Sequence, residues 1–269
     1  MSWKRWGSRP LAAALSALAM LRVAAAQDML RYFDLKSEEF TRADMTRMEI
    51  EAALAVADPN KPVDLSGRRL NGLDLSGLDL RRTKLQATRL NRAKLAGANL
   101  DGVTLDQAWA LDADFTGASL RGASLFATQL VGAKLDGADL SDARVTADLS
   151  KASMTQARLD RADLSADMRN QSMGLMRGVL RSARLDGASL ENANLSRAVL
   201  EFASLRDATL KGAKLNGSEL AGADFQGADV ADADFDNADV TSTRLVGLRG
   251  RDQARNLDRV RNASRALTD

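Results

Sequence analysis

The sequence predicts an all-β coiled repeat, a solenoid, on three observations. A large apolar residue stands at every fifth position from Leu65 to Val145, with Ala110 as the single exception, and again from Leu180 to Leu245. Alanine recurs two residues before this position and glycine two residues after it. Residues five apart would scatter around a helix and would alternate faces in a straight strand. A chain that turns a corner after each pentad keeps them all on one side.

The pentad assigns a direction to each of its positions. Residues two apart in an extended segment face the same way, so the leucine and the alanine before it are predicted to point inward. The residue between them, such as Asp139 between Ala138 and Leu140, then points to solvent. Glycines such as Gly97 and Gly137 mark the corners, because a residue without a Cβ bends at little cost.

Two motifs show the repeat in full. Ala98-Asn99-Leu100-Asp101-Gly102 and Ala138-Asp139-Leu140-Ser141-Asp142 resemble the A(D/N)LXX signature of the pentapeptide-repeat proteins. The resemblance covers residues 63–245 and implies a right-handed quadrilateral parallel β-helix, with one pentad per side and about twenty residues per coil. Because that family includes DNA mimics, effectors and members without known activity, the resemblance implies no single function.

The repeat changes register between Val145 and Leu180. The unit Ala147-Asp148-Leu149 arrives one residue early, and the shifted phase runs on to residue 173. Extra residues at 174–177 restore the original phase, which predicts a bulge or a short protruding loop. This region either offers an adaptable contact surface or fills gaps in an imperfect stack. The residues concerned are Met168, Met173, Met176 and Arg177.

Residues 27–62 predict an N-terminal helical cap and linker. A helix is expected over 37–57, with Ser37 as its N-cap and two glutamates in its first turn. Asp58-Pro59-Asn60-Lys61-Pro62 ends it. Such a helix would cover the open end of the first coil. Its expected apolar stripe consists of Phe40, Ala43, Met48, Ala52 and Ala55.

Residues 246–269 predict a C-terminal cap or tail. The stretch from Arg251 to Leu267 is expected to form a second, weaker cap through three apolar side chains, those of Ala254, Leu257 and Val260. Just before it, Phe225 and Phe235 fall half a coil apart, where two rings would help to seal the core.

Residues 1–26 have the three parts of a secretory signal peptide. Lys4, Arg5 and Arg9 precede an apolar run from residue 11 to 21, and Ala24-Ala25-Ala26 offers a small-x-small site before Gln27. The apolar run is shorter than the about twenty residues that span a bilayer. The expectation is a periplasmic or secreted bacterial protein without a transmembrane span once the leader is removed. An uncleaved anchor or a misassigned start, and so a cytoplasmic protein, is the alternative.

Charge bears on the choice of function class. The chain has 38 bases and 36 acids, and four bases (Lys4, Arg5, Arg9, Arg22) lie in the leader, which leaves 34 against 36, a net charge of −2. A DNA mimic needs a strongly acidic rod, so neither gyrase protection nor binding of nucleic acid is expected. A basic band at 68–94 and an acidic band at 221–240 are either contact surfaces or solvated outer faces.

The composition argues against catalysis. Without His or Cys the chain cannot form the usual nucleophilic triads or zinc sites. Outward Asp pairs on a convex wall have no pocket to shift their pKa values. A glycan-acting enzyme that uses such Asp pairs is a third hypothesis, which these observations do not favour. We therefore predict no enzyme, no catalytic residue, no cofactor and no metal site.

One surface departs from the pattern of polar outward residues. Trp109 and Leu111 flank Ala110 at outward positions, Val131 lies one coil above Leu111, and Phe126 points outward on the adjoining side. An exposed apolar cluster predicts a partner surface, whereas a local slip that turned Leu111 inward would bury part of it. The sequence predicts an exported, non-enzymatic scaffold that binds a protein or envelope component, with oligomers allowed. The alternative is a cytosolic, gyrase-interacting DNA mimic.

Overall fold

A computed structural model describes residues 29–58, 61–168 and 176–269. The predicted signal peptide therefore lies outside the described residues. Few segments are long enough to count as regular elements, because each side of the coil is so short. They are a 3-10 turn (Met29–Tyr32), α1 (Glu38–Thr41), α2 (Arg47–Ala55), β1 (Val63–Asp64), β2 (Thr83–Lys84), β3 (Arg244–Leu245), three further 3-10 turns (Arg251–Gln253, Leu257–Arg259, Ala263–Arg265) and β4 (Leu267–Thr268).

Between β1 and β4 the chain winds as a parallel β-helix. Asn99 pairs with Ser119 one coil on, and Ser119 pairs with Asp139, so one coil takes twenty residues. The amide of Leu100 donates to the carbonyl of Ser119 at 2.7 Å, as its equivalents do along the stack. Four stacks of such pairs form four walls. We name them by their first outward residue: wall A (Asp64), wall B (Arg69), wall C (Asp74) and wall D (Asp79).

The core is the column of residues that recur every fifth position. Every leucine of the pentads is buried, and so is Ala110, which keeps its place in the stack. The local slip at Ala110 therefore does not occur. The alanines two residues earlier are buried as well, as the pentad predicts. Phe225 and Phe235 meet edge to face with ring centroids 6.4 Å apart.

The corners fall where the glycines were predicted to mark them, and their backbone is left-handed. Gly97 has a φ of 63°. Some corners carry a side chain instead, such as Arg92 at 57° and Asp142 at 61°. Left-handed backbone costs a non-glycine residue little free energy when it is confined to a single turn residue. Glycine is therefore frequent at the corners but not required there.

The shift of register is an insertion between walls A and B. Asp148 pairs with Gln129, nineteen residues earlier, and with Val179, thirty-one residues later. Asp167 donates its amide to the carbonyl of Met176 at 2.7 Å and closes the neck of the insertion. At the end of the neck Gly178 has no room for a side chain, because a Cβ would lie 2.9 Å from the Leu164 backbone carbonyl oxygen.

The predicted roles of the insertion's residues need correction. Met168 was expected to continue the stack, but it is half exposed outside the core. Met176 is partly buried, and Arg177 is buried instead of forming an open contact surface. Met173 lies outside the described residues.

The N-terminal segment is two short helices, not one. The chain leaves helical geometry after Thr41, and Ala43 forms an antiparallel bridge with Leu70. A second start follows at Thr46, whose side chain and that of Glu49 form a capping box for α2. Ser37 precedes α1 as predicted but makes no side-chain capping bond.

The predicted apolar stripe of this segment is wrong in most positions. Only Phe40 is buried as expected, while Met48 is 76% exposed and Ala52 and Ala55 are exposed as well. The interruption at 42–46 rotates α2, so that Ile50 enters the core in their place.

The C-terminal residues form one more coil of the β-helix. Arg255 pairs with Asp234, Arg261 with Asp239, and β4 with β3. Ala254, Leu257 and Val260 are partly buried against the core, and 3-10 turns form the corners. In the described part of the chain, no helix has the length and apolar character that a membrane span requires.

Candidate functional site

Wall B is where the molecule departs from a plain coil. Trp109, at the centre of the predicted partner surface, is one of its outward residues, and Leu111, Phe126 and Val131 lie at its two corners. Both additions to the coil, the N-terminal segment and the neck of the insertion, pack on this wall. The stack reads Arg69, Arg89, Trp109, Gln129, Asp148, Val179, Val199, Glu219, Asp239, Arg261.

The predicted partner residues point as expected, but one is not exposed. Leu111 and Val131 are half-buried at the corner between walls B and C, and Phe126 is half-buried at the corner between walls A and B. The guanidinium of Arg144 lies 4.8 Å from the Phe126 ring centroid. Trp109 points away from the core and yet is only 9% exposed. The prediction of an exposed Trp109 is therefore wrong.

A cluster of three aromatic rings covers Trp109. Its ring lies 4.9 Å from that of Phe33 and 5.0 Å from that of Phe40, between centroids, and both contacts are edge to face. Phe33 and Phe40 are 5.8 Å apart. Edge-to-face pairs at these distances add about 0.5 to 1.5 kcal/mol each to the burial of apolar area. The chain's own N-terminal segment thus occupies the centre of the surface that the sequence singled out.

Two stacked asparagines hold the backbone of that segment. Asn71 donates through Nδ2 to the carbonyls of Glu39 (3.0 Å) and Arg42 (2.9 Å). Asn91, one coil above, donates to Oδ1 of Asn71 at 3.0 Å and accepts from the amide of Leu111 at 3.0 Å. Both side chains are buried. Their amides satisfy backbone groups that the interruption between α1 and α2 leaves without helical partners.

Basic side chains of wall B complete the contact. Arg89 forms an ion pair with Glu39 and places its guanidinium carbon 5.4 Å from the Phe40 ring centroid. Arg92 donates to the Phe40 carbonyl at 3.4 Å. The basic band is therefore in part the receptor for an acidic and aromatic segment of the same chain.

The neck of the insertion also packs on wall B, further along the rod. The guanidinium of Arg177 pairs with Glu219 at 2.9 Å and donates to the Arg197 carbonyl at 3.1 Å. Val179 and Val199 stand at outward positions of the wall but are buried. The sequence analysis missed these two valines. Apolar residues at two consecutive outward positions of one wall would have indicated that this part of the wall is covered.

An open part of the surface remains beside the aromatic cluster. Tyr32 is 87% exposed and Phe33 41% exposed. Next to them a hollow of about 90 Å³ is lined by Leu35, Phe40, Asn91, Arg92, Leu111 and Asp112. A space of this size is smaller than the 300 to 1,000 Å³ of small-molecule sites, and it suits a single side chain of a partner.

Part of each charged band is paired within the molecule. In the acidic band, Asp224 pairs with Arg206 at 2.7 Å, and Asp236 pairs with Arg259 at 3.0 Å. Along wall C the signs alternate instead of forming one acidic ladder, through Asp74, Lys94, Asp114 and Lys134. Among the described residues, no group of acidic side chains converges well enough to hold a metal ion.

The outward aspartates are poor candidates for proton transfer. Partial burial acts to raise the pKa of Asp139, but hydrogen bonds from the hydroxyl and amide of Ser141 outweigh it, and the pKa is lowered. The pKa of Asp74 is lowered by the Ser76 side chain and amide. A general acid near neutral pH needs the opposite shift.

The repeats match the family model for pentapeptide repeats, in eight copies over residues 63–97, 74–108, 98–142, 128–165, 179–212 and 203–241. The chain therefore belongs to the pentapeptide repeat family, and its coil is a right-handed β-helix. The gap between residues 165 and 179 coincides with the insertion. Comparison with curated proteins gives no match.

Three solved structures indicate the range of similar proteins. HetL from the cyanobacterium Nostoc sp. strain PCC 7120, involved in the regulation of heterocyst differentiation, is 28% identical, with 83% of this chain and 94% of HetL covered and a TM-score of 0.56. Trypsin-treated QnrB1, a plasmid-mediated fluoroquinolone resistance protein, is 18% identical over 77% and 92%, with a TM-score of 0.46. A pentapeptide repeat protein of the Arabidopsis thaliana thylakoid lumen is 28% identical over 51% and 70%, with a TM-score of 0.19.

Proposed function

We propose that this protein is a non-catalytic binding scaffold of the bacterial cell envelope, and that wall B around Trp109 is its partner surface. One observation carries the proposal: this wall already holds a peptide segment through aromatic contacts, buried amides and an ion pair. Its half-buried remainder at Leu111, Phe126 and Val131 continues the same surface. A partner is expected to extend it by contacting these side chains together with Tyr32 and Phe33.

The partner is expected to be a protein segment. Exposed aromatic side chains beside a rim of polar and basic groups are typical of the anchors that dominate protein interfaces. The hollow next to Leu111 is of side-chain size. The similarity to HetL, whose described role is regulatory, also favours interaction over catalysis. The mixed charges of wall C give no support to the alternative of a DNA mimic that targets gyrase.

Export is part of the same proposal. Cleavage before Gln27 would retain residues 29–58, which make the described contacts of the N-terminal segment with the rod. In this proposal α2 closes the N-terminal end of the core through Ile50, and both belong to the mature protein.

The experiment compares two lysines placed at the same pentad position at different corners of the coil. Val131→Lys lies at the corner between walls B and C, and Ala96→Lys lies at the corner between walls C and D. Tagged versions are expressed in the host, and the mature N-terminus, the fraction and the captured partner are determined. We expect an N-terminus at or near Gln27, periplasmic or secreted protein, and at least a tenfold loss of capture, about 1.4 kcal/mol, for Val131→Lys alone. Equal capture by both variants, or intact Met1 on cytosolic protein, would contradict the proposal.

A further inference from the structure

The last coil follows a different repeat from the rest of the rod. From Arg249 onward the outward residues recur every six positions, at Arg255, Arg261 and Leu267. The inward residues before them are Leu248, Ala254, Val260 and Ala266. Each side has gained one residue, which is accommodated in a 3-10 turn at the corner.

This change removes the leucine column from the last coil. The residue after each outward position is now Gly250, Asn256 or Asn262, and each of these has left-handed backbone. Such residues turn the chain but fill no core. Leu248, Leu257 and Val260 pack against the core but stay partly exposed, so the layer formed by Val240 and Leu245 is covered less completely than the layers before it.

A hollow results at the C-terminal end of the rod. It has a volume of about 210 Å³. Its walls are mostly apolar, and two polar residues, Arg251 and Thr268, complete the lining. The apolar lining consists of Val240, Leu245, Leu248, Leu257, Val260, Ala263 and Ala266. Apolar cavities of about 150 Å³ stay dry and admit guests the size of benzene, so this hollow has room for an aliphatic chain of about eight carbon atoms.

One cation, Arg251, belongs to the lining of the hollow. Residues 244–269 contain seven arginines and three aspartates, and they pack on the acidic band at 221–240, which contributes six aspartates. Several arginines are engaged: Arg255 with the Asp232 carbonyl and Arg259 with Asp236. Arg251 has no ion-pair partner among the residues that the structure describes. A cation at the edge of an apolar hollow matches a carboxylate on an alkyl chain.

We propose that this hollow binds the aliphatic chain of a small amphiphilic anion, a medium-chain fatty carboxylate, with Arg251 against the carboxylate. The site is at the end of the rod and does not depend on wall B. A second copy of the chain is the competing occupant, and the test below distinguishes the two.

The test titrates the full mature protein with hexanoate, octanoate and octanol by calorimetry. Each methylene should tighten binding about fourfold, equivalent to about 0.8 kcal/mol, so octanoate should bind about sixteenfold more tightly than hexanoate. Arg251→Gln should weaken octanoate at least tenfold and leave octanol nearly unchanged. Arg265→Gln, which removes the same charge from the same coil outside the hollow, should have little effect on octanoate.

Filling the hollow gives a second, independent variant. Ala266→Leu adds three carbon atoms to the lining and should abolish binding of octanoate and octanol without lowering the melting temperature. Absence of octanoate binding to the wild type would overturn the proposal, as would equal losses in Arg251→Gln and Arg265→Gln. A dimer in sedimentation that Ala266→Leu dissociates would show that a second copy occupies the hollow instead.

Discussion

Truncation of Phe40 should release the N-terminal segment from wall B without unfolding the rod. The Phe40 side chain is 3% exposed and contacts two other rings at 5.0 and 5.8 Å between centroids. Loss of a buried phenylalanine side chain costs about 3 to 5 kcal/mol, which includes the two ring contacts. Because the leucine column is untouched, Phe40→Ala should loosen the segment locally while the main melting transition stays in place.

The assay uses Trp109, which is the one tryptophan outside the predicted leader. In the wild type its emission should be blue-shifted and resistant to acrylamide, because it is 9% exposed. In Phe40→Ala the emission should move to the red and become quenchable. Met48→Ala, in the same segment at a 76% exposed position, should leave both properties unchanged. Identical spectra for Phe40→Ala and the wild type would refute the docking of the segment on wall B.

Three further predictions concern the coil itself. Leu195→Asp should abolish cooperative melting in circular dichroism, because it buries an unpaired charge, while Asn99→Asp on the outer wall should change it little; equal tolerance would refute the inward assignment. Arg177→Gln should destabilise the protein by about 1 to 3 kcal/mol in denaturant unfolding, because it removes the ion pair of a buried guanidinium with Glu219, whereas Arg161→Gln, at a pair whose two side chains are about half exposed, should stay within about 0.5 kcal/mol; a reversed order would contradict the role of the neck. Because the pKa of Asp139 is lowered in the folded protein, its carboxylate stabilises the fold above the unfolded pKa of about 3.9. This stabilisation is lost as the pH falls through the folded pKa. The drop in melting temperature on acidification should therefore be smaller in Asp139→Asn than in the wild type. The same dependence of melting temperature on pH in both proteins would contradict a stabilising role of the Asp139 carboxylate.

The sequence was sufficient for the repeating part of the fold. Leu95, Ala98 and Asn99 have the burial that their pentad positions predict, because a strict period leaves only one side of the chain to face inward. The corner glycines follow from the same periodicity. The one-residue change of phase at Leu149 was placed correctly, but the insertion begins after Leu164, earlier than the predicted extra residues at 174–177.

The two ends were less predictable, for physical reasons that differ. At the N-terminus, the capping box of Thr46 and Glu49 is a local signal for a second helix, and it was overlooked in favour of a continuous stripe. At the C-terminus the leucines that define the pentad disappear. The arginines at 249, 255 and 261 carry the period of six, but an outward arginine is a weak marker of a coil.

The sequence predicted where the candidate site lies but not that the N-terminal segment covers its centre. Trp109 and Leu111 lie where the pentad puts them, at outward positions beside a buried Ala110. What covers Trp109 could not be read from the repeat, because Phe33 and Phe40 are distant in the sequence and meet it only after the segment folds back. A repeat predicts the contacts between neighbouring coils, whereas a docked segment depends on long-range contacts that have no period.

The most direct test of the binding surface is photocrosslinking in the living host. A photoreactive amino acid is introduced at Val131, at the corner between walls B and C, and, in a matched strain, at Ala96, which has the same pentad position at the corner between walls C and D. The proposal predicts one discrete adduct with an envelope protein from position 131, formed by mature protein that lacks residues 1–26, and none from position 96. The same adducts from both positions, or adducts only with cytosolic proteins, would contradict the assignment of wall B as the partner surface of an exported scaffold.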